Sequence, residues 1–193
     1  MNTRRATRLA ACIVFAGACS VACAEVISND TVERYPIRGA SEAELRFEMS
    51  AKGPLGAGGR RFDGYTRWNI AWRYKYRLDG GLCRIDMVTT DVKVTTTLPE
   101  WNDERATPER LRKRWREYLA ALTEHENGHR AHGMDAAREI DRGIAALPAQ
   151  ASCGALGNAA NDLGNQIIRK YNERDLDYDR KTEHGLTQGT RFP

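Results

Sequence analysis

Residues 107–148 read TPERLRKRWREYLAALTEHENGHRAHGMDAAREIDRGIAALP, and the spacing of their apolar side chains decides the fold class. Leu111, Trp115, Tyr118, Leu122, Ala136, Ile140, Ile144 and Leu147 recur at helical intervals, as on one face of an amphipathic α-helix. Thr107 with Pro108 behind it predicts the start, a capping hydroxyl and then a first-turn proline; Pro148 predicts the end. The pattern predicts one long helix, or two with a break near Gly133. His125 and His129 interrupt the apolar stripe rather than the polar face. Two neutral imidazoles among Leu, Trp and Ile need partners, and a metal ion supplies them.

Between them the chain reads Glu124-His125-Glu126-Asn127-Gly128-His129, which contains the zinc-hydrolase pattern His-Glu-x-x-His. Four residues exceed one helical turn slightly, so the two imidazoles stand about 40° apart on one face and can share a tetrahedral metal. Glu126 then lies beside the fourth coordination position, where it can take a proton from a metal-activated water and pass it to a leaving amine. With only 4 histidines in the chain, two of them in this pattern are not explained by composition.

Zinc needs a third protein ligand. His132 shares the face but lies about 10 Å along the axis from His125, too far to close the same tetrahedron. Asp135 stands at the spacing of a third ligand in metzincin patterns, but the required glycine is out of register, since position 132 is His and the glycine is Gly133. Glu173, on a further amphipathic segment carrying Leu156, Ala160, Leu163, Ile167 and Tyr171, would imitate a glutamate ligand. The favoured candidate is His184, next to Gly185, after a helix that can return antiparallel to the long one. Tyr178 or Tyr171 is a candidate donor to the oxyanion formed when water attacks a carbonyl, and Asp179 a candidate partner for the second ring nitrogen of His184. The polar run DLDYDRKTEHGLTQGTRFP closes the chain.

Upstream of the long helix the period is near two. Tyr65, Trp68, Ile70, Trp72, Tyr74 and Tyr76 predict a half-buried strand, and Leu82 to about Leu98, with VTTDVKVTTTLP inside it, predicts a second. The turn Asp79-Gly80-Gly81 predicts that the two pair antiparallel. Val26 to about Arg38 is strand-like, and Ser41 caps a short helix that Gly53-Pro54 stops. The segment GPLGAGGRRFDG lacks the Gly-Lys-Ser/Thr ending of a phosphate loop and reads as a flexible turn. Strands first and helices after predict one α+β domain over residues 25–193.

The first residues, MNTRRATRLAACIVFAGACSVACAEV, have a basic head, an apolar run and a small-x-small pattern ending at Ala24. Residues 1–24 therefore read as a secretory signal peptide, with a lipoprotein reading of Cys19 or Cys23 disfavoured by the lack of a lipobox triplet. The expected product is periplasmic or secreted, without an integral membrane segment. Removal of Arg4, Arg5 and Arg8 from 30 basic residues leaves 27 against 26 acidic ones, a balance that argues against a nucleic-acid partner. The run from Arg110 to Glu117 reads as a solvated helix face. Cys83 and Cys153 remain after cleavage and predict one disulfide, closing a loop of about 70 residues worth on the order of 4 kcal/mol.

HENGH behind Trp115 and Tyr118, Leu98-Pro99-x-Trp101, the strand YTRWNIAWRY and the closing YDRKTEHG together resemble a bacterial domain family of formally unknown function, described as predicted secreted zinc-dependent proteases. The resemblance spans about Val26 to Gly185. It implies a zincin-like fold in which His125 and His129 bind zinc, Glu126 is the general base, and Tyr178, Asp179, Thr182 and His184 complete the site. The expected function is a zinc metallohydrolase acting on a peptide or protein amide bond. The rivals are a non-catalytic zinc-binding envelope or partner-binding module, a metal-buffering protein without a fixed site, and a hydrolase of non-peptide amides such as those of the cell wall.

Overall fold

The computed structural model describes residues 23–192; residues 1–24, expected from sequence to be a leader, lie almost wholly outside them. Six main elements follow in order: β1 (Cys23–Ile37), α1 (Glu42–Lys52), β2 (Tyr65–Asp79), β3 (Leu82–Trp101), α2 (Glu109–Ala145) and α3 (Cys153–Thr182). The fold is α+β as the order of periodicities predicts, with both long helices packed on a three-stranded sheet.

β2 and β3 form the predicted antiparallel hairpin, turning at Gly80 (φ 57°) and Gly81 (φ 79°). Two consecutive left-handed residues match the twist of a two-residue hairpin, and only glycine adopts both without cost. β1, read from sequence only as strand-like, lies on the other side of β3 and runs parallel to it, so the N-terminal strands are not all antiparallel. The intervening α1 and β2 supply the crossover that a parallel pair needs.

Central β3 carries the core face. Cys83 and Ile85 point inward, and so do Val88, Thr90, Val92, Val94 and Leu98. The inward positions switch from odd to even because the register slips at Asp86, where Lys75 pairs with Met87 and Tyr76 with Ile85. One unpaired residue reverses which side chains face the helices, so this bulge keeps both halves of β3 buried.

α2 is one helix of 37 residues, about 55 Å long at 1.5 Å per residue. It begins one residue later than predicted. Thr107 Oγ1 donates to the Glu104 carbonyl at 2.7 Å instead of capping, while the Pro108 carbonyl accepts from Leu111 and Arg112. Nor does the helix break at Gly133. A Cβ there would lie 2.6 Å from Trp68 Cγ, so the glycine admits the indole rather than ending the helix.

Ser152 caps α3 through Ala155 N–H at 3.1 Å, and the helix returns antiparallel to α2. It continues into the polar run that closes the chain, because Asp175 and Asp179 find partners on α2. Phe192 then inserts between Trp115 and Tyr118. The predicted Cys83–Cys153 disulfide ties β3 to the start of α3.

Two apolar clusters result. One gathers Ile37, Leu45, Met49, Trp101, Trp115 and Phe192 around the first half of α2; the other gathers Ile85, Val88, Ile140, Ile144, Leu156 and Ile167 around its second half. His125, Glu126, His129 and His132 occupy the stretch of α2 between them. No helix among the described residues is long and apolar enough to cross a membrane.

Candidate metal centre

The site is built where α2 faces the last turns of α3. α2 supplies His125, Glu126, His129 and His132, all buried; α3 supplies Asp175 and Asp179, one turn apart like the histidines they meet. His125 Nε2 and His129 Nε2 lie 3.2 Å and 3.0 Å from the same oxygen, Asp179 Oδ1. The opposite ring nitrogens are held from behind. His125 Nδ1 donates to Gln188 Oε1 at 2.9 Å, and His129 Nδ1 to Asp175 Oδ1 at 3.0 Å. Two Nε2 atoms and a carboxylate oxygen therefore face one point, within 4.8 Å of one another, and this group can hold a metal ion.

A second buried group, His129, His132 and Asp175, overlaps the first. Its carboxylate is already engaged: Asp175 accepts from His132 Nδ1 at 2.6 Å, from His129 Nδ1, and from Trp68 Nε1 at 2.8 Å. The first group is the better metal site, and Asp175 acts by fixing the tautomer and orientation of His129, as partners of metal-bound histidines commonly do.

The charges are strongly interdependent. Burial alone would push Asp179 up, but the hydrogen bonds from His125 and His129 prevail and hold its carboxyl well below the usual range. Asp175 is likewise lowered against the effect of burial by His129 and His132. Burial opposes charge on His129, yet Asp175 and Asp179 raise it to about 10. A proton on His129 thus occupies the position between imidazole and carboxylate that a divalent cation would take.

Glu126 is different. Burial pushes its carboxyl up, Oε2 has no hydrogen-bond partner, and the backbone of Gly64 lies against the other oxygen. Both the metal group and Glu126 open onto a cleft of about 830 Å³, which Arg60, Phe62 and Gly64 of the glycine-rich segment also line. That segment, read from sequence as a flexible turn, is anchored. Asp63 takes a two-pronged ion pair from Arg46, and accepts hydrogen bonds from Tyr118 OH at 2.6 Å and, on its carbonyl, from Tyr35 OH at 2.7 Å.

His184, the favoured third ligand, reaches the rim of the cleft but lies outside both metal-competent groups among the described residues. Its side chain is half exposed, with Nδ1 3.5 Å from Asp179 Oδ2 and Nε2 3.3 Å from Arg60 Nη2. Glu173 is exposed on α3, and Asp135 pairs with Arg138. Tyr178 does not line the cleft: its ring stacks on His125 with centroids 5.1 Å apart, and its hydroxyl contacts Gln188 and the His125 carbonyl. Gly128, inside HENGH, leaves the space for that ring, since a Cβ there would lie 2.4 Å from Tyr178 Cζ. Tyr171 bonds Glu139 instead. Asp175, Gln188, Gly64 and Arg60 were not anticipated from sequence; the four-residue spacing of Asp175 and Asp179 was the one available sign.

A family model described as "Bacterial protein of unknown function (DUF922)" matches residues 32–185, from within β1 to the turn after α3. No curated protein and no solved structure matches the chain.

Proposed function

The chain belongs to the DUF922 family of bacterial proteins, and we propose that it is an exported zinc-dependent peptidase in which His125, His129 and Asp179 hold the metal and Glu126 is the general base. The observation that carries this reading is the convergence of two Nε2 atoms on Asp179 Oδ1 beside a buried carboxylate whose Oε2 lacks a partner. Two histidines and a carboxylate suit zinc and leave room for a substrate. The bound metal would supply a Lewis acid that polarises a carbonyl and makes water acidic near neutral pH.

The chain's own residues do the rest. Glu126, destabilised as an anion by burial, is poised to accept a proton at the oxygen facing the cleft and to return it to the departing amine. Asp175 and Gln188 hold the Nδ1 atoms and so keep both Nε2 atoms free for the metal. The same donor set serves iron(II) oxygenases; a buried base one residue after the first histidine supports hydrolysis instead. The disulfide agrees with a non-reducing compartment, as does the proposed leader, residues 1–24. A peptide or protein is the proposed substrate, and Asp179 replaces His184 as the proposed third ligand.

The test is elemental analysis and cleavage of a mixed peptide library by protein purified after export of the full chain. One zinc per chain, lost in Asp179→Ala but kept in His184→Ala, supports the ligand set. Cleavage abolished in Glu126→Gln with zinc retained supports the base. Wild type with one zinc but inert across the library supports a non-catalytic metal-binding module in its place.

A further inference from the structure

We infer that the cleft recognises a carboxylate on its ligand, held by Arg60 and Arg191 beside the metal group; this rests on the cleft being a substrate groove, as proposed above. Four arginines line the cleft: Arg46, Arg60, Arg61 and Arg191. Two are occupied. Arg46 is paired with Asp63, and Arg61 donates to the Gly53 carbonyl at 2.6 Å. Arg60 and Arg191 have no carboxylate partner among the described residues.

The Arg60 side chain is held in place, and the Arg191 backbone is fixed at the cleft. The Arg60 guanidinium lies over the Phe62 ring, 4.4 Å from its centroid, and spends a single N–H on His184 Nε2. A guanidinium has five N–H donors in a planar fork, so the edge that suits a carboxylate remains available. The backbone at Arg191 is anchored by its neighbour Phe192, which is only 6% exposed, and its exposed side chain lines the cleft. Through His184, Arg60 is two contacts from Asp179, so a carboxylate bound there lies within about three residues of the scissile bond.

The backbone supports a built position for His184. Glu183 (φ 51°) and His184 (φ 53°) are both left-handed without being glycine, a conformation that costs free energy and persists only where the surroundings impose it. It turns the His184 ring between Arg60 and Asp179. Two exposed leucines, Leu176 and Leu186, line the same cleft. The ligand class is therefore a carboxylate carried on an apolar peptide, rather than a bare inorganic anion. The carboxylate is either a free C-terminus or an Asp or Glu side chain.

The experiment uses zinc-loaded full-chain protein carrying Glu126→Gln, so that binding is read without turnover. Fluorescein-labelled Leu-rich pentapeptides are compared as C-terminal acid against amide, and with an internal Glu against Gln. The expected result is at least tenfold tighter binding of one carboxylate form over its neutral counterpart, with the pair that differs identifying the source. Adding Arg60→Gln or Arg191→Gln should remove the preference while leaving the neutral peptide's affinity and thermal unfolding unchanged, and Arg60→Lys should retain part of it. Equal binding of acid and neutral peptides, no binding of either, or a preference that survives both arginine variants overturns the inference. A carboxylate preference in a protein whose wild type cleaves nothing would overturn the peptidase reading and leave this one standing.

Discussion

Gly64 lies directly behind Glu126: a Cβ at position 64 would come 2.8 Å from Glu126 Oε1 and 3.0 Å from Leu122 Cδ1. The loop cannot back away, because Asp63 next to it is tied to Arg46, Tyr118 and Tyr35. The carboxylate must move instead. Gly64→Ala is expected to lower the rate of peptide cleavage roughly 10- to 100-fold, the scale of effect that an ångström's misplacement of a reacting group produces. Zinc content should stay at the wild-type level. An unchanged rate, with the variant folded, would remove Glu126 from the reaction.

Asp175 makes no direct bid for the metal in this arrangement, yet it orients His129 and engages His132 and Trp68. Replacing such a partner typically weakens metal affinity by about 10- to 100-fold. Asp175→Asn should show that loss in competition with a chromophoric chelator, whereas Asp179→Asn should lose tight binding and His184→Ala should not. Equal affinity of Asp175→Asn and wild type would point to Asp175 as a fold element only.

Much of this architecture was legible because hydrophobic period and turn residues act locally. The hairpin at Gly80-Gly81, the α1 cap at Ser41 and the long α2 follow from neighbours in sequence. So does the metal helix, since His125, Glu126 and His129 are set by one helical turn. What was missed or left open depends on distant partners. Gly133 leaves one helix or two open in isolation, and only the approach of Trp68 decides it. The helical course of the closing polar run is not legible because its carboxylates find their histidines some 46 to 50 residues away. Third-ligand candidates are ranked from spacing along the chain and an assumed helix return, which favours His184, while the actual helix packing brings Asp179 inward and leaves His184 at the rim.

Gly133→Ala offers a direct measure of the α2–sheet contact. In an exposed helix the substitution would stabilise by about 1 kcal/mol. Here the added methyl meets Trp68 Cβ at 2.7 Å and Cγ at 2.6 Å, atoms too close to the backbone to swing aside. Overpacking of this kind costs about 1–3 kcal/mol, so a net loss is expected in denaturant unfolding of the metal-free protein. Zinc binding should weaken as well, since Trp68 also donates to Asp175. A stabilised variant would mean that the indole and α2 are not in contact in solution.

Alkaline stability should report on the loop anchor. Burial pushes the Tyr118 and Tyr35 hydroxyls far above the ordinary tyrosine value, and the Asp63 carboxylate adds to both. In the unfolded chain they titrate near 10, so the folded state keeps protons that the unfolded state releases. Their contribution is therefore complete below about pH 10 and is lost as pH rises above it, at about 1.4 kcal/mol per pH unit for each tyrosine. Tyr118→Phe removes one of these protons. Denaturant unfolding between pH 9 and about 11.5, with chelator present, should give a shallower decline for Tyr118→Phe than for wild type, by roughly the slope of one tyrosine. Parallel curves would mean that Tyr118 titrates freely in the native state and that the Asp63 anchor is open to solvent.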